Sequence, residues 1–179
     1  GLWPPDPRPR CGALVPATPG LALGVTGADC GMILFADQRA HVIGAAHAGW
    51  TGALTGVVEA TVTAMERLGA TRSDIVTALG PCIGPKSYEV GPEFVATFES
   101  GGEDTARYFT PSRKDGHSMF NLNAYIAERA VRAGVGGFED LGRDTSSDEG
   151  RFFRSPRPPH RTQPDLCRPP AGACRTVTA

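Results

Sequence analysis

Apolar residues come in short blocks along most of this chain, and the blocks set the first expectations. Residues 32–36 and 42–46 are apolar and are joined by the polar turn Asp37-Gln38-Arg39. Such short runs with a turn between them predict a hairpin of two buried strands. Residues 21–25, Ile75–Leu79 and residues 138–141 predict three further strands. Across residues 53–68 the rhythm changes. Leu54, Val57, Val58, Val62, Met65 and Leu68 follow the three-to-four spacing of an amphipathic helix, and Gly69 ends it. A short helix is expected over residues 92–98, with Pro92 in its first turn. Another is expected over residues 124–133, capped by Asn121 or Asn123 and closed by Gly134. Residues 99–118 are polar and read as a surface loop. Hairpin strands mixed with helices predict an α+β (mixed α/β) fold and argue against a doubly wound sheet.

Composition narrows the class. With 179 residues the chain is large enough for one domain with its own core. Pro-rich ends predict an irregular lead-in over residues 1–12 and an irregular tail over residues 154–179, with a single domain at 13–153. Net charge is −1, so no basic footprint for nucleic acid is visible. No apolar run reaches membrane-spanning length, and no basic-then-apolar leader is visible at the start. The five cysteines, at 11, 30, 82, 167 and 174, are odd in number and irregular in spacing. They predict free thiols in a reducing, cytoplasmic setting. Gly-x-Gly-x-x-Gly and P-loop patterns are absent, so dinucleotide and P-loop chemistry lack support.

The hairpin carries the candidate chemistry. Cys30 sits just before its first strand, between Gly27 and Gly31, beside Asp29. His47 follows the second strand and is flanked by Ala46, Ala48 and Gly49. The β-unit brings the two towards each other. The pair reads either as a nucleophile with its base or as two ligands of a metal. The helix after His47 is expected to offer free N–H groups to an anion. Trp50 reads as core. Cys82, Tyr88 and Glu89 are weaker candidates, His41 and His117 read as surface positions, and His160 lies in the Pro-rich tail and carries little weight.

Four blocks resemble the signatures of the YfiH-like family: Ala-Asp-Cys at 28–30, His-Ala-Gly-Trp at 47–50, Gly-Pro-Cys-Ile-Gly-Pro at 80–85 and Tyr-Glu-Val-Gly at 88–91. Its members are described as multicopper polyphenol oxidase or laccase-domain proteins, purine nucleoside phosphorylases or peptidoglycan editing factors. The resemblance implies a layered α/β/β/α fold related to toxin deamidases. It also implies a His, Cys, His triad able to hold zinc. Cys30 and His47 match two members of that triad, in catalytic and metal-binding roles. The first histidine would lie ahead of Gly1, so an N-terminally shortened chain is expected. Thr51 stands where the family has a basic residue, and Asp144-Thr145-Ser146 replaces a Cys-Thr-Tyr block. After Phe153 the text resembles a slipped high-GC reading frame.

The resemblance implies a zinc-assisted enzyme acting on adenosine, inosine, guanosine and methylthioadenosine by phosphorolysis, and on adenosine by deamination. Its partners would be a purine nucleoside and phosphate, with no nucleic acid and no membrane. A metal-free Cys–His amidase acting on a peptidoglycan precursor is the alternative. A copper polyphenol oxidase is the third reading, and four histidines without a His-x-His pair fit it poorly.

Overall fold

The computed structural model describes residues 12–100, 105–148, 150–152 and 177–178. Most of the expected lead-in and tail lie outside these residues; within the tail, Val177–Thr178 form a strand and so are not irregular. The predicted hairpin forms as the second and third strands of a six-stranded sheet. In chain order the strands are β1 (Ala13–Val15), β2 (Gly31–Asp37), β3 (Val42–Ala48), β4 (Ile75–Leu79), β8 (Gly137–Asp140) and β9 (Val177–Thr178). Between them come β5 (Glu89–Val90), β6 (Phe109–Pro111) and β7 (Ser118–Phe120), which form a separate sheet of order β5-β7-β6. The large sheet has the order β8-β4-β2-β3-β1-β9. Its core is antiparallel, with Met32 opposite His47 and Phe35 opposite Gly44. The β4–β8 and β1–β9 edges are parallel. The fold is α+β, as expected.

One face of the large sheet is packed under helices α1 (Trp50–Leu54), α2 (Val57–Arg67) and α4 (Leu122–Arg132). Ile33, Phe35, Val42, Ala46, Ile75 and Leu79 point into this layer and are buried. Gly44 lies beneath α2, where an added Cβ would press on Met65 and Thr61 at 3.2–3.3 Å. Only a residue without a side chain admits the helix that close. Helix α3 (Pro92–Glu99) closes an aromatic cluster in which Phe94, Phe98 and Phe120 stack at 5.0–5.2 Å.

Several expectations need correction. The helix expected over 53–68 is two helices, broken by Thr55 and Gly56, which takes a left-handed φ of 90°. The apolar rhythm continues across this break, which is why the pattern hid it. Residues 21–25 form no strand. Leu21 is exposed and no ladder partner holds the run. Strand β1, three residues long, pairs with β3 instead. The polar segment over 99–118 contains β6 and the start of β7, so it is not one loop. Helix α4 starts at Leu122, and Asn121 is its cap: the side-chain oxygen accepts from the Ala124 N–H at 3.0 Å.

The hairpin turn is held by a buried carboxylate. Asp37 Oδ1 accepts from the N–H groups of Arg39 and Ala40, both at 2.9 Å. Its other oxygen accepts from the Thr71 N–H at 2.9 Å, tying the turn to the segment after α2. The donors at Ala40 and Thr71 hold the Asp37 carboxyl below its ordinary pKa. His41 completes the turn with a left-handed φ of 55°.

Candidate functional site

His47 is the penultimate residue of β3, not a residue of the turn that follows it. The register sets its surroundings. Met32 is directly opposite, and Cys30 is the diagonal neighbour two positions back. Diagonal positions across an antiparallel ladder lie about 7–8 Å apart. The hairpin therefore brings Cys30 and His47 together at one end of the sheet, as their placement in the sequence implies.

Alternation also decides the face. Gly44, Ala46 and Ala48 look towards the helices, so His47 looks the other way, with Met32. The segment before Cys30 folds over the imidazole. A Cβ on Gly27 would lie 3.7 Å from His47 Cε1 and 2.4 Å from the Met32 methyl. The Thr26 carbonyl accepts a hydrogen bond from the ring. Burial lowers the His47 pKa and outweighs this bond, which works the other way. Burial thus favours the neutral ring, with one nitrogen donating to the Thr26 carbonyl.

Two expectations for this site change. Helix α1 has five residues and lies with α2 and α4 on the far side of the sheet, so its start does not offer N–H groups to the His47 ring. Cys30 is buried and disulfide-bonded, whereas Cys82 is a free thiol. The expectation of free thiols throughout therefore fails at Cys30. A sulfur in a disulfide is neither a nucleophile nor a metal ligand until it is reduced.

The metal reading can be tested on the donors. Among the described residues no group of three or more His, Cys, Asp or Glu side chains converges. Cys30 and His47 supply two donors, one of them oxidised, and protein zinc sites use three or four. The described residues do not by themselves fit a zinc ion, and a copper centre needs more imidazoles still.

The weaker candidates are dispersed. Trp50 packs on Phe94 at 4.9 Å, consistent with a core role. Tyr88 is buried against Phe94 and Phe120. Glu89 is exposed and accepts from the Ser112 hydroxyl at 2.5 Å. His117 bonds the Asp115 carbonyl on the surface. Cys82 is fully buried, and burial pushes its thiol up to about 12, so it stays protonated.

Sequence reasoning missed the residues that hold the Cys30 loop. The Asp29 carbonyl accepts from the Ile83 N–H at 2.9 Å, and its carboxylate accepts from the Thr145 hydroxyl at 2.8 Å. Asp144 in turn accepts from the Gly84 and Ser146 N–H groups and from the Ser87 hydroxyl. A Cβ on Gly84 would fall 2.8 Å from that carboxylate, so glycine is required there. The blocks at 28–30, 80–85 and 144–146 are thus one hydrogen-bonded unit. The Asp and Thr at 144–145 were the available signal.

Comparison with known proteins gives the family. Residues 5–162 match the family described as multi-copper polyphenol oxidoreductase laccase. The chain belongs to that family. It is 31% identical over 156 residues to a purine nucleoside phosphorylase from Rickettsia conorii, covering 87% of this chain and 64% of the relative. It is 36% identical over 144 residues to one from Pseudomonas aeruginosa, covering 80% of this chain and 58% of the relative. Among solved structures, YlmD from Geobacillus stearothermophilus superposes with a TM-score of 0.74 at 29% identity, over 82% of this chain and 55% of that one. The DUF152 protein NMB0706 from Neisseria meningitidis gives 0.72 at 31% identity, over 79% and 57%. The chain therefore spans less than two thirds of the length of these relatives. Among the described residues no helix is long and apolar enough to cross a membrane.

Proposed function

We propose that this chain carries part of a purine nucleoside phosphorylase site in which His47 moves the proton. The observation that carries the reading is the His47 ring: desolvated, favoured in its neutral form and held by the Thr26 carbonyl. The names of the relatives supply the reaction class. In phosphorolysis a phosphate oxygen bonds to the ribose C1′ as the bond from C1′ to the purine nitrogen breaks. The phosphate loses one proton and the departing purine gains one. A neutral imidazole with a free lone pair accepts the first proton and delivers the second, so the ring returns to its starting state. Positioned proton transfer of this kind contributes about 10²–10⁴-fold in rate.

In this reading the reduced Cys30 borders the same site. Zinc remains part of the proposal only with a further donor from outside the described residues, and no step above depends on it. Inosine, guanosine, adenosine and methylthioadenosine are the proposed substrates, with deamination of adenosine as a second reaction of the same site.

The test is phosphate-dependent release of hypoxanthine from inosine, measured with and without dithiothreitol. Activity should require phosphate, rise on reduction, and fall by about 10²–10⁴-fold in His47→Ala. Base release that ignores phosphate, or a His47→Ala variant as active as the parent, overturns the reading. Covalent labelling of reduced Cys30 by an amide substrate analogue, with turnover that survives chelators, would favour the amidase instead.

A further inference from the structure

A cleft whose lining does not include His47 has no role in the phosphorolysis reading or in the comparisons. It encloses about 570 Å³ between the loop at 84–87, the first turns of α4 and the segment after β8. This is the size range of small-molecule sites. Its charged groups fall into two kinds. The carboxylates are spent inside the fold. Asp144 accepts three hydrogen bonds, from Gly84, Ser87 and Ser146, at 2.6–3.0 Å. Asp140 accepts from the Gly142 N–H at 2.8 Å and from the Asn123 amide at 3.1 Å. The cations are not spent. Lys86 and Arg143 line the cleft, are exposed, and make no ion pair among the described residues. Exposed ammonium and guanidinium groups converging on one cleft favour a phosphate or another compact anion.

One further feature selects what the anion is attached to. Phe138, half-buried, gives the cleft an apolar ring surface. Asn123 donates from its amide nitrogen to Asp140, which fixes its side chain in the cleft wall.

We propose that this cleft binds a nucleoside monophosphate, with the phosphate at Lys86 and Arg143 and the base against Phe138. The lining does not include His47, so the proposal stands or falls independently of the phosphorolysis reading. Its wall is nevertheless continuous with the Cys30 loop, through the Asp29–Thr145 and Asp29–Ile83 hydrogen bonds.

The experiment is calorimetric titration of the intact chain with adenosine monophosphate, adenosine and inorganic phosphate, at low salt. It is repeated on Lys86→Glu/Arg143→Glu, Phe138→Ala and His47→Ala. The two charge reversals are at exposed positions, and a thermal melt checks that they fold. The monophosphate should bind at least about tenfold more tightly than adenosine or phosphate alone. The double charge reversal should weaken it by at least about tenfold, and Phe138→Ala should weaken it several-fold. Binding should persist in His47→Ala, and ¹⁵N NMR should show shifts at Gly84, Gly142 and the Asn123 side-chain amide. Four results overturn the proposal: no binding of the monophosphate at millimolar concentration, equal binding of adenosine, equal binding of bare phosphate, or loss of binding in His47→Ala with the charge reversals unaffected.

Discussion

The two faces of the central sheet come from the same strands and behave differently. On the helix side, Ile33, Phe35, Ile75 and Leu79 are buried beneath α2 and α4. On the other side, at alternate positions of the same strands, Leu34 is 56% exposed, Val76 52% and Ile43 36%. The candidate chemistry lies on this second side, where His47 and Met32 sit under the turn at Gly27. A period of two separates structural from chemical residues within one hairpin. Around β2 and β3 the packed side is filled by side chains, and the open side leaves apolar side chains exposed.

The sharpest way to test this comparison is to cut into the packed face. Phe35 is 2% exposed and sits against the layer formed by α2. Phe35→Ala should destabilise the fold by about 3–5 kcal/mol, through lost burial and the cavity left behind. Urea unfolding measures this. A loss below about 1 kcal/mol would mean that the two faces do not differ as described.

Acid should loosen the hairpin at its turn. Asp37 has a folded pKa below its ordinary value because it accepts backbone donors from the turn, at Ala40 and Arg39, and from Thr71 after α2. The unfolded chain therefore binds this proton more readily than the folded one. The contribution is complete above the ordinary carboxylate range, near pH 4, and is lost as pH falls through the folded value. Asp37→Asn should lower the melting temperature at pH 7 and flatten its fall between about pH 5 and 3. A variant whose melting curve keeps the parent's acid slope would assign that slope elsewhere.

How much of this was legible beforehand depends on the kind of information. The hairpin, Ile75–Leu79 and α4 were readable because short apolar blocks and an Asn cap are local signals. Strand β1 was not, since three residues carry no period. The β5-β7-β6 sheet was missed because its strands are short and its segment is polar. That Cys30 and His47 share one end of a hairpin was readable. The face they occupy was not, because facing depends on register and on which side the helices choose. The disulfide at Cys30 was also hidden, since irregular spacing leaves pairing undetermined.

The open face should respond to pH in its own range. The His47 pKa is lowered by burial, so the unfolded chain takes up a proton near pH 6.5 that the folded chain resists. Stability should therefore fall as pH drops through about 6.5 and level off below the folded value. His47→Gln removes the titrating group and should flatten the melting temperature between about pH 7 and 5. If the slope persists in that variant, the His47 ring is not the desolvated group described here.

The smallest effect should come from the neighbour of Phe35 on the open face. Leu34→Thr exchanges an exposed apolar side chain for one that also suits a strand. Little burial is lost, so the change should stay within about 0.5 kcal/mol of the parent. Set beside Phe35→Ala, one residue away, it isolates facing from position in the strand. A loss above about 1 kcal/mol would show that Leu34 is covered in solution, and the open face would then count as a packed one. In a longer chain of this family the same substitution gives the same reading, because a covering layer would raise the cost at Leu34 and leave the cost at Phe35 unchanged.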